Sequence, residues 1–252
     1  MPRSAVKVAK PTPKRLAEET IAEMKRLADP KKAASYQRYF KEPVNWYGLD
    51  SATGKRLVKE LTAKTKGVWT VADAVAFCNL MVRDPHIDPR GIAFQVVAAF
   101  VRDADATLIK DVRRWLEKSC GNWALVDNLA PSVVAPLLQR HPRLVAEVVK
   151  WTTSRNMWLR RASAVAFIPL VRQGEHLDTA YDVAKRLFGD KEDLMHKAVG
   201  WMLREAGKQD MKRLERFLRS EGPHIPRTTV RYAIERFPKE KGKELLEATR
   251  PS

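Results

Sequence analysis

The chain is poor in the residues that most often announce chemistry. Its two cysteines, Cys78 and Cys120, stand singly in apolar-rich surroundings and make no CxxC pair. Zinc-ribbon and dithiol chemistry are thereby unsupported, and buried thiols in a reducing compartment are expected. The five histidines, His86, His141, His176, His196 and His224, include no HExxH and no local metal-ligand pair. No GxSxG elbow is present. GLDSATGK, residues 48–55, looks like a Walker loop only at first sight, because its glycines are one residue too far apart and Arg56 stands where Ser or Thr is required. Apolar runs stay well short of the ~18 residues that a membrane span needs.

Acid is scarce too. Thirty Asp and Glu face 47 Lys and Arg, a formal net charge of +17. Such an excess favours a polyanionic partner, the alternative being charge that serves only solubility. The opening MPRSAVKVAKPTPKR is basic, carries Pro11 and Pro13, and lacks the apolar segment of a secretory leader. Residues 1–13 therefore read as a disordered basic arm, and residues 14–252 as a single domain of a cytoplasmic protein.

What the chain does have is helical periodicity. Leu16, Ile21, Met24 and Leu27 share one face of a segment over 14–28. A short aromatic helix over 32–41 carries Tyr36, Tyr39 and Phe40. Ser51 can cap a helix over 52–64, and Thr70 one over 71–83. DPHIDPRG reads as a loop, followed by an apolar helix over 91–102. Further helices are predicted near 105–119, 122–129, 131–140, 142–152, 157–172, 175–188, 190–206, 208–220, 226–236 and 238–248. Pro131, Pro142 and Pro226 fall where a first-turn proline is tolerated. No strand alternation or hairpin signal interrupts the series. Many short helices with short connectors predict an all-α chain, a curved α-solenoid of stacked helical pairs with roughly 35–45 residues per unit.

Three tryptophans then stand out, each with a charge one helical turn away: Trp123 with Asp127, Trp158 with Arg161, and Trp201 with Arg204. Taken singly, tryptophans at helical spacing fill cores more often than sites, and Asp127 could simply terminate a helix. Together, on a strongly basic chain, they suggest phosphate-gripping cations around one acid. Arg155, Arg160, Arg161, Lys197, Arg204, Arg227, Arg231 and Arg236 are candidates for a basic face that tracks a duplex backbone.

In their order and separation, NWALVDNLAP, NMWLRRASAV and HKAVGWMLREAGK resemble the signature blocks of the AlkD-like DNA alkylation repair proteins. YQRYFKEPVNWYGLDS and IPRTTVRYAIERF support the likeness, which spans roughly residues 15–240. The resemblance implies a HEAT-like repeat DNA glycosylase that removes cationic N3- and N7-alkylated purines, such as 3-methyladenine and 7-methylguanine, from duplex DNA. It implies no metal or nucleotide cofactor, and a duplex-gripping solenoid has no need for a second copy, so a monomer is expected. It assigns the catalytic acid to Asp127, the cleft tryptophans to Trp123 and Trp201, phosphate contacts to Arg161 and Arg204, and a cleft tyrosine to Tyr39. Arg160, Lys197, Arg227 and Arg231 are added as DNA-binding candidates from their charge. Gly121 and Asn122 depart from the family pattern, since relatives can carry another tryptophan before the one matched by Trp123. The alternatives are a non-catalytic helical protein that binds branched or damaged DNA, and a solenoid whose arginines meet an acidic protein.

Overall fold

A computed structural model describes residues 10–250, and among them every regular element is helical. The expected basic arm lies mostly outside the described residues. Its described end is anchored: Lys10 pairs with Asp73 at 2.7 Å, and the Pro11 carbonyl accepts from Trp69 Nε1 at 2.7 Å. The chain divides into two compact units, one up to Ala104 and one from Asp105.

The first unit comprises α1 (Pro13–Arg26), α2 (Pro30–Gln37), α3 (Ser51–Thr65), α4 (Val71–Met81) and α5 (Ile87–Ala98). Helix α4 packs on α1 and α5, and α5 on α3. Met24, Phe77, Met81 and Phe94 are fully enclosed between them. Thr70 caps α4, as the sequence led one to expect, and Asp73 completes a reciprocal capping box with it. Two other starts differ. Asp50, not Ser51, caps α3, through a bond from Thr53 N–H at 2.9 Å. Helix α5 begins at Ile87, inside the segment read as a loop, because Pro89 is tolerated in a first turn where no intrahelical N–H is needed.

The connection between α2 and α3 is pinned rather than loose. Asp88 accepts from Tyr47 N–H at 2.8 Å and Leu49 N–H at 3.3 Å, and burial pushes its carboxyl pKa up. Gly48 takes φ +83°, and any side chain there would collide with the Asp29 carbonyl. The glycine of the apparent Walker loop thus serves a tight backbone approach.

The second unit contains α6 (Leu108–Lys118), α7 (Trp123–Leu129), α8 (Ala135–Arg140), α9 (Leu144–Lys150), α10 (Met157–Val165), α11 (Ile168–Val171), α12 (Leu177–Leu187), α13 (Asp193–Gly207), α14 (Met211–Glu221), α15 (Arg227–Ala233) and α16 (Lys239–Ala248). Its logic is repetition. Helices α7, α10, α13 and α15 begin 34 to 36 residues apart and pack in that order, α7 on α10, α10 on α13, and α13 on α15. Helices α12 and α14 lie against α13, and α16 against α14. Each pair covers an apolar stripe that one repeat alone would expose, which is why such units are stable only in stacks. Helix α6 shows the stripe plainly: Leu108, Ile109, Val112, Trp115 and Leu116 are buried, while Lys110, Arg113 and Arg114 face solvent. The chain is an α-solenoid of helical pairs.

Polar links recur at the same period. Side chains join residues 31 to 37 positions apart, as in Arg161 to Asp127, Arg204 to Glu235, Arg172 to Glu205 and Gln209 to Arg172. Equivalent positions of neighbouring repeats are thus tied together.

Two expectations about this unit need correction. Pro131 does not open a separate helix. Helix α7 runs on into a π turn, Ala130–Val134, where Ala135 N–H donates to the Ala130 carbonyl five residues back. A proline without an N–H fits such a widened turn. Conversely, the segment read as one helix over 157–172 is broken into α10 and α11 at Ala166 and Phe167.

Candidate active site

Helix α7 owes its position to Asn122, whose side chain accepts from Leu125 N–H at 3.0 Å. Trp123 is then the first helical residue, and Asp127 comes one turn later on the same face. Both are half-buried, while Leu125, Val126 and Leu129 fill the core behind them. The residue that departs from the family pattern is therefore the cap that starts this helix.

Helix α10 is capped the same way, with Asn156 accepting from Trp158 N–H at 2.9 Å and Leu159 N–H at 3.2 Å. From it Arg161 reaches back one repeat to Asp127. Nε donates to Oδ1 at 2.9 Å and Nη2 to Oδ2 at 2.8 Å, a two-point clasp. Its remaining nitrogen, Nη1, donates to the Leu194 carbonyl in the first turn of α13. One guanidinium thus joins α7, α10 and α13. The Arg161 side chain is 6% exposed and that of Asp127 16%. The acid is partly exposed; the arginine is buried.

Leu194 leads to the rest. Along α13, Lys197, Trp201 and Arg204 lie three, seven and ten residues beyond it, a spacing that keeps them on one face. Lys197 lies within electrostatic reach of both Arg161 and Tyr232. Its hydrogen bond to Asp193, at 2.8 Å, lifts its pKa above the ordinary lysine value against the opposing effects of burial and Arg161. Trp201 is half-buried. Helix α15 closes against this face at Gly200, where an added side chain would meet Tyr232 Cβ and the Thr229 carbonyl.

Several of the expected DNA contacts have partners within the unbound chain. Arg161 directs its fork at Asp127 and a main-chain carbonyl. Arg160 is also engaged. Its Nε meets Asp190 at 2.6 Å and its Nη1 the Ser154 carbonyl at 2.9 Å, which ties α10 to the turn before α13. Arg227 donates to the Leu246 carbonyl at 2.6 Å and so closes the end of α16. Arg204 is paired with Glu235. Arg231 is exposed. Tyr39 belongs to the first unit, exposed beneath the Arg38 guanidinium, which lies 5.0 Å from its ring centre. Periodicity does not find Leu194, Asp193, Tyr232 or Glu235. Only Asp193 carried a signal, four residues before Lys197.

Among the described residues no cluster of three or more His, Cys, Asp or Glu could hold a metal ion. No helix in them is long and apolar enough to cross a membrane.

Comparisons with known proteins bear on this arrangement. A family model described as DNA alkylation repair enzyme matches residues 20–237. No curated protein matches the sequence. A solved structure titled as a predicted DNA alkylation repair enzyme from Enterococcus faecalis superposes with a TM-score of 0.75 at 15% identity, covering 84% of this chain and 97% of that one. At that identity the likeness speaks for the fold. The family match extends over both units and every residue of the Asp127 cluster, and by it the chain belongs to the DNA alkylation repair enzyme family.

Proposed function

We propose that the protein is a DNA glycosylase that hydrolyses the N-glycosidic bond of cationic N3- and N7-alkylated purines in duplex DNA, with Asp127 as the catalytic carboxylate. The observation that carries this reading is an acid fixed at two points by Arg161, still partly exposed, and placed one turn from an indole.

Alkylation at N3 or N7 gives the purine a positive charge and makes it a good leaving group, so no general acid is required. As the bond to the base lengthens, the deoxyribose acquires oxocarbenium character, as in glycoside hydrolysis. A carboxylate already oriented toward that charge stabilises the transition state more than the ground state, which is what accelerates a reaction. Its second task is to orient the attacking water. Arg161 acts through Asp127: the fork holds both oxygens in one plane and stops the side chain turning. Trp123 and Trp201 offer electron-rich ring faces to the same oxocarbenium-like charge. Lys197 and Arg204, on either side of Trp201, would hold backbone phosphates and fix register without reading sequence. Tyr39 and Arg231 are further contacts on this reading. The reaction needs one copy of the chain and no metal or nucleotide.

The test is release of free base from methylated duplex DNA. Wild-type protein is expected to release 3-methyladenine or 7-methylguanine, and Asp127→Asn to lose release by about 100- to 1000-fold while still binding duplex. Wild-type protein that binds duplex but frees no base near neutral pH overturns the catalytic reading. Selective binding of junctions over linear duplex would then identify a structure-specific binder.

A further inference from the structure

Two cations flank Trp201 on α13, and a carboxylate holds each. Lys197 pairs with Asp193 of its own helix, and Asp193 is held again by the Thr228 hydroxyl of α15 at 3.2 Å. Arg204 pairs with Glu235, in the turn just after α15, and its Nε also approaches Glu205 at 3.4 Å. On a chain with 47 cations and 30 acids, many cations must lack an acid of their own. The two beside Trp201 both have one.

The two pairs are not alike. Asp193 has a second anchor and sits in the same helix as its lysine. Among the described residues the Glu235 side chain bonds to Arg204 alone, and it is 46% exposed against 20% for Arg204. An exposed pair of this kind contributes little to stability and exchanges readily. A DNA phosphate presents the same chemistry to a guanidinium as a carboxylate does, with two oxygens in the plane of the fork.

Building on the glycosylase reading, we propose that Glu235 tunes duplex affinity by competition: its carboxylate occupies Arg204 in the unbound protein, and a backbone phosphate must displace it before the duplex is gripped beside Trp201. Undamaged DNA is then held weakly and released, while a lesion adds contacts at Asp127 and the indoles that offset the exchange. The acid lowers affinity for every duplex alike, and by doing so raises the fraction of protein free to find a cationic base.

The experiment measures binding of a short undamaged duplex to the full chain by fluorescence anisotropy over a series of salt concentrations. The proteins are wild type, Glu235→Gln, Arg204→Gln and the double variant, each checked for an unchanged melting temperature. Glu235→Gln is expected to bind roughly three- to tenfold more tightly at low salt, and its excision from methylated duplex should be inhibited at correspondingly lower concentrations of undamaged competitor. Arg204→Gln should weaken binding and reduce the salt slope by about one. In the double variant the gain from removing Glu235 should disappear. Glu235→Gln that binds as wild type does, or a gain that persists without Arg204, overturns the proposal; the pair would then merely fasten the turn after α15 to α13. Failure of the glycosylase reading is a separate result, since it shows as absent base release whatever the binding data give.

Discussion

Asp127 and Glu205 are both carboxylates of the second unit set against arginine one repeat away, and they differ in how much of their charge is answered. Asp127 meets one guanidinium that satisfies both oxygens and leaves the side chain 16% exposed. Glu205 is 2% exposed and lies among three cations: Arg172 at 2.8 Å, Lys208 at 2.6 Å and Arg204 at 3.4 Å. Burial alone would raise the Glu205 pKa, yet the bonds from Arg172 and Lys208 hold it down at about 2. A carboxylate surrounded in this way has nothing left to offer a substrate. The comparison teaches that pairing with arginine does not by itself mark a site. The two acids differ in exposure, 16% for Asp127 against 2% for Glu205, and on the proposed reading that difference separates an acid that can meet a substrate from one that only fastens.

The contrast can be broken from either side. The largest effect is expected at Asp127, where Asp127→Asn should remove about 3–4 kcal/mol of transition-state stabilisation, read as initial rates of base release. Next is Gly200→Ala, since the added methyl collides with α15 at Tyr232 and Thr229. A loss of about 2–3 kcal/mol in denaturant unfolding is expected. Because α13 carries both Leu194 and Glu205, base release should fall as well.

Arg161→Lys sharpens the comparison further. Lysine supplies a point charge but cannot bridge two oxygens and a carbonyl in one plane, so release should slow about tenfold, roughly 1.4 kcal/mol, with charge conserved. The smallest effect belongs to Glu205→Gln. Its cations are 40–50% exposed for Lys208 and Arg172 and can rehydrate, so a loss of about 1 kcal/mol of stability is expected with base release unchanged. Acid titration gives the sign. The folded-state value for Glu205 lies below its ordinary 4.5, so its contribution is present above about 4.5 and is lost as pH falls toward about 2. Glu205→Gln should be the less acid-sensitive protein in that window, as thermal melts across the range would show.

Much of the fold was legible because the helices are short and end in recognisable punctuation. Thr70 with Asp73 and the apolar stripe of α6 both lie within one turn or two of sequence, where local rules operate. The π turn through Pro131 was not legible, since a proline signals a break with equal force whether the chain stops or widens. The Trp123–Asp127 pair could be read from spacing alone. That Arg161 clasps Asp127 could not, because its partner lies 34 residues away and only packing brings repeats into register. Arg160 and Arg227 illustrate the same blindness: a cation's charge is visible in sequence, but the carbonyl that uses it is not.

The widened turn after α7 has a consequence for aim. An α-helix advances about 100° per residue, so a segment holding one extra residue delivers the next helix with a shifted phase. Leu137 and Leu138 point into the core on one side of that segment, and Asp127 faces Arg161 on the other. Deleting one residue from Ala130–Val134 would restore ordinary winding and turn one end against the other by that angle. Either the leucines or the acid would then miss its seat, so the direction of the carboxylate can be altered by a change that leaves the carboxylate in place.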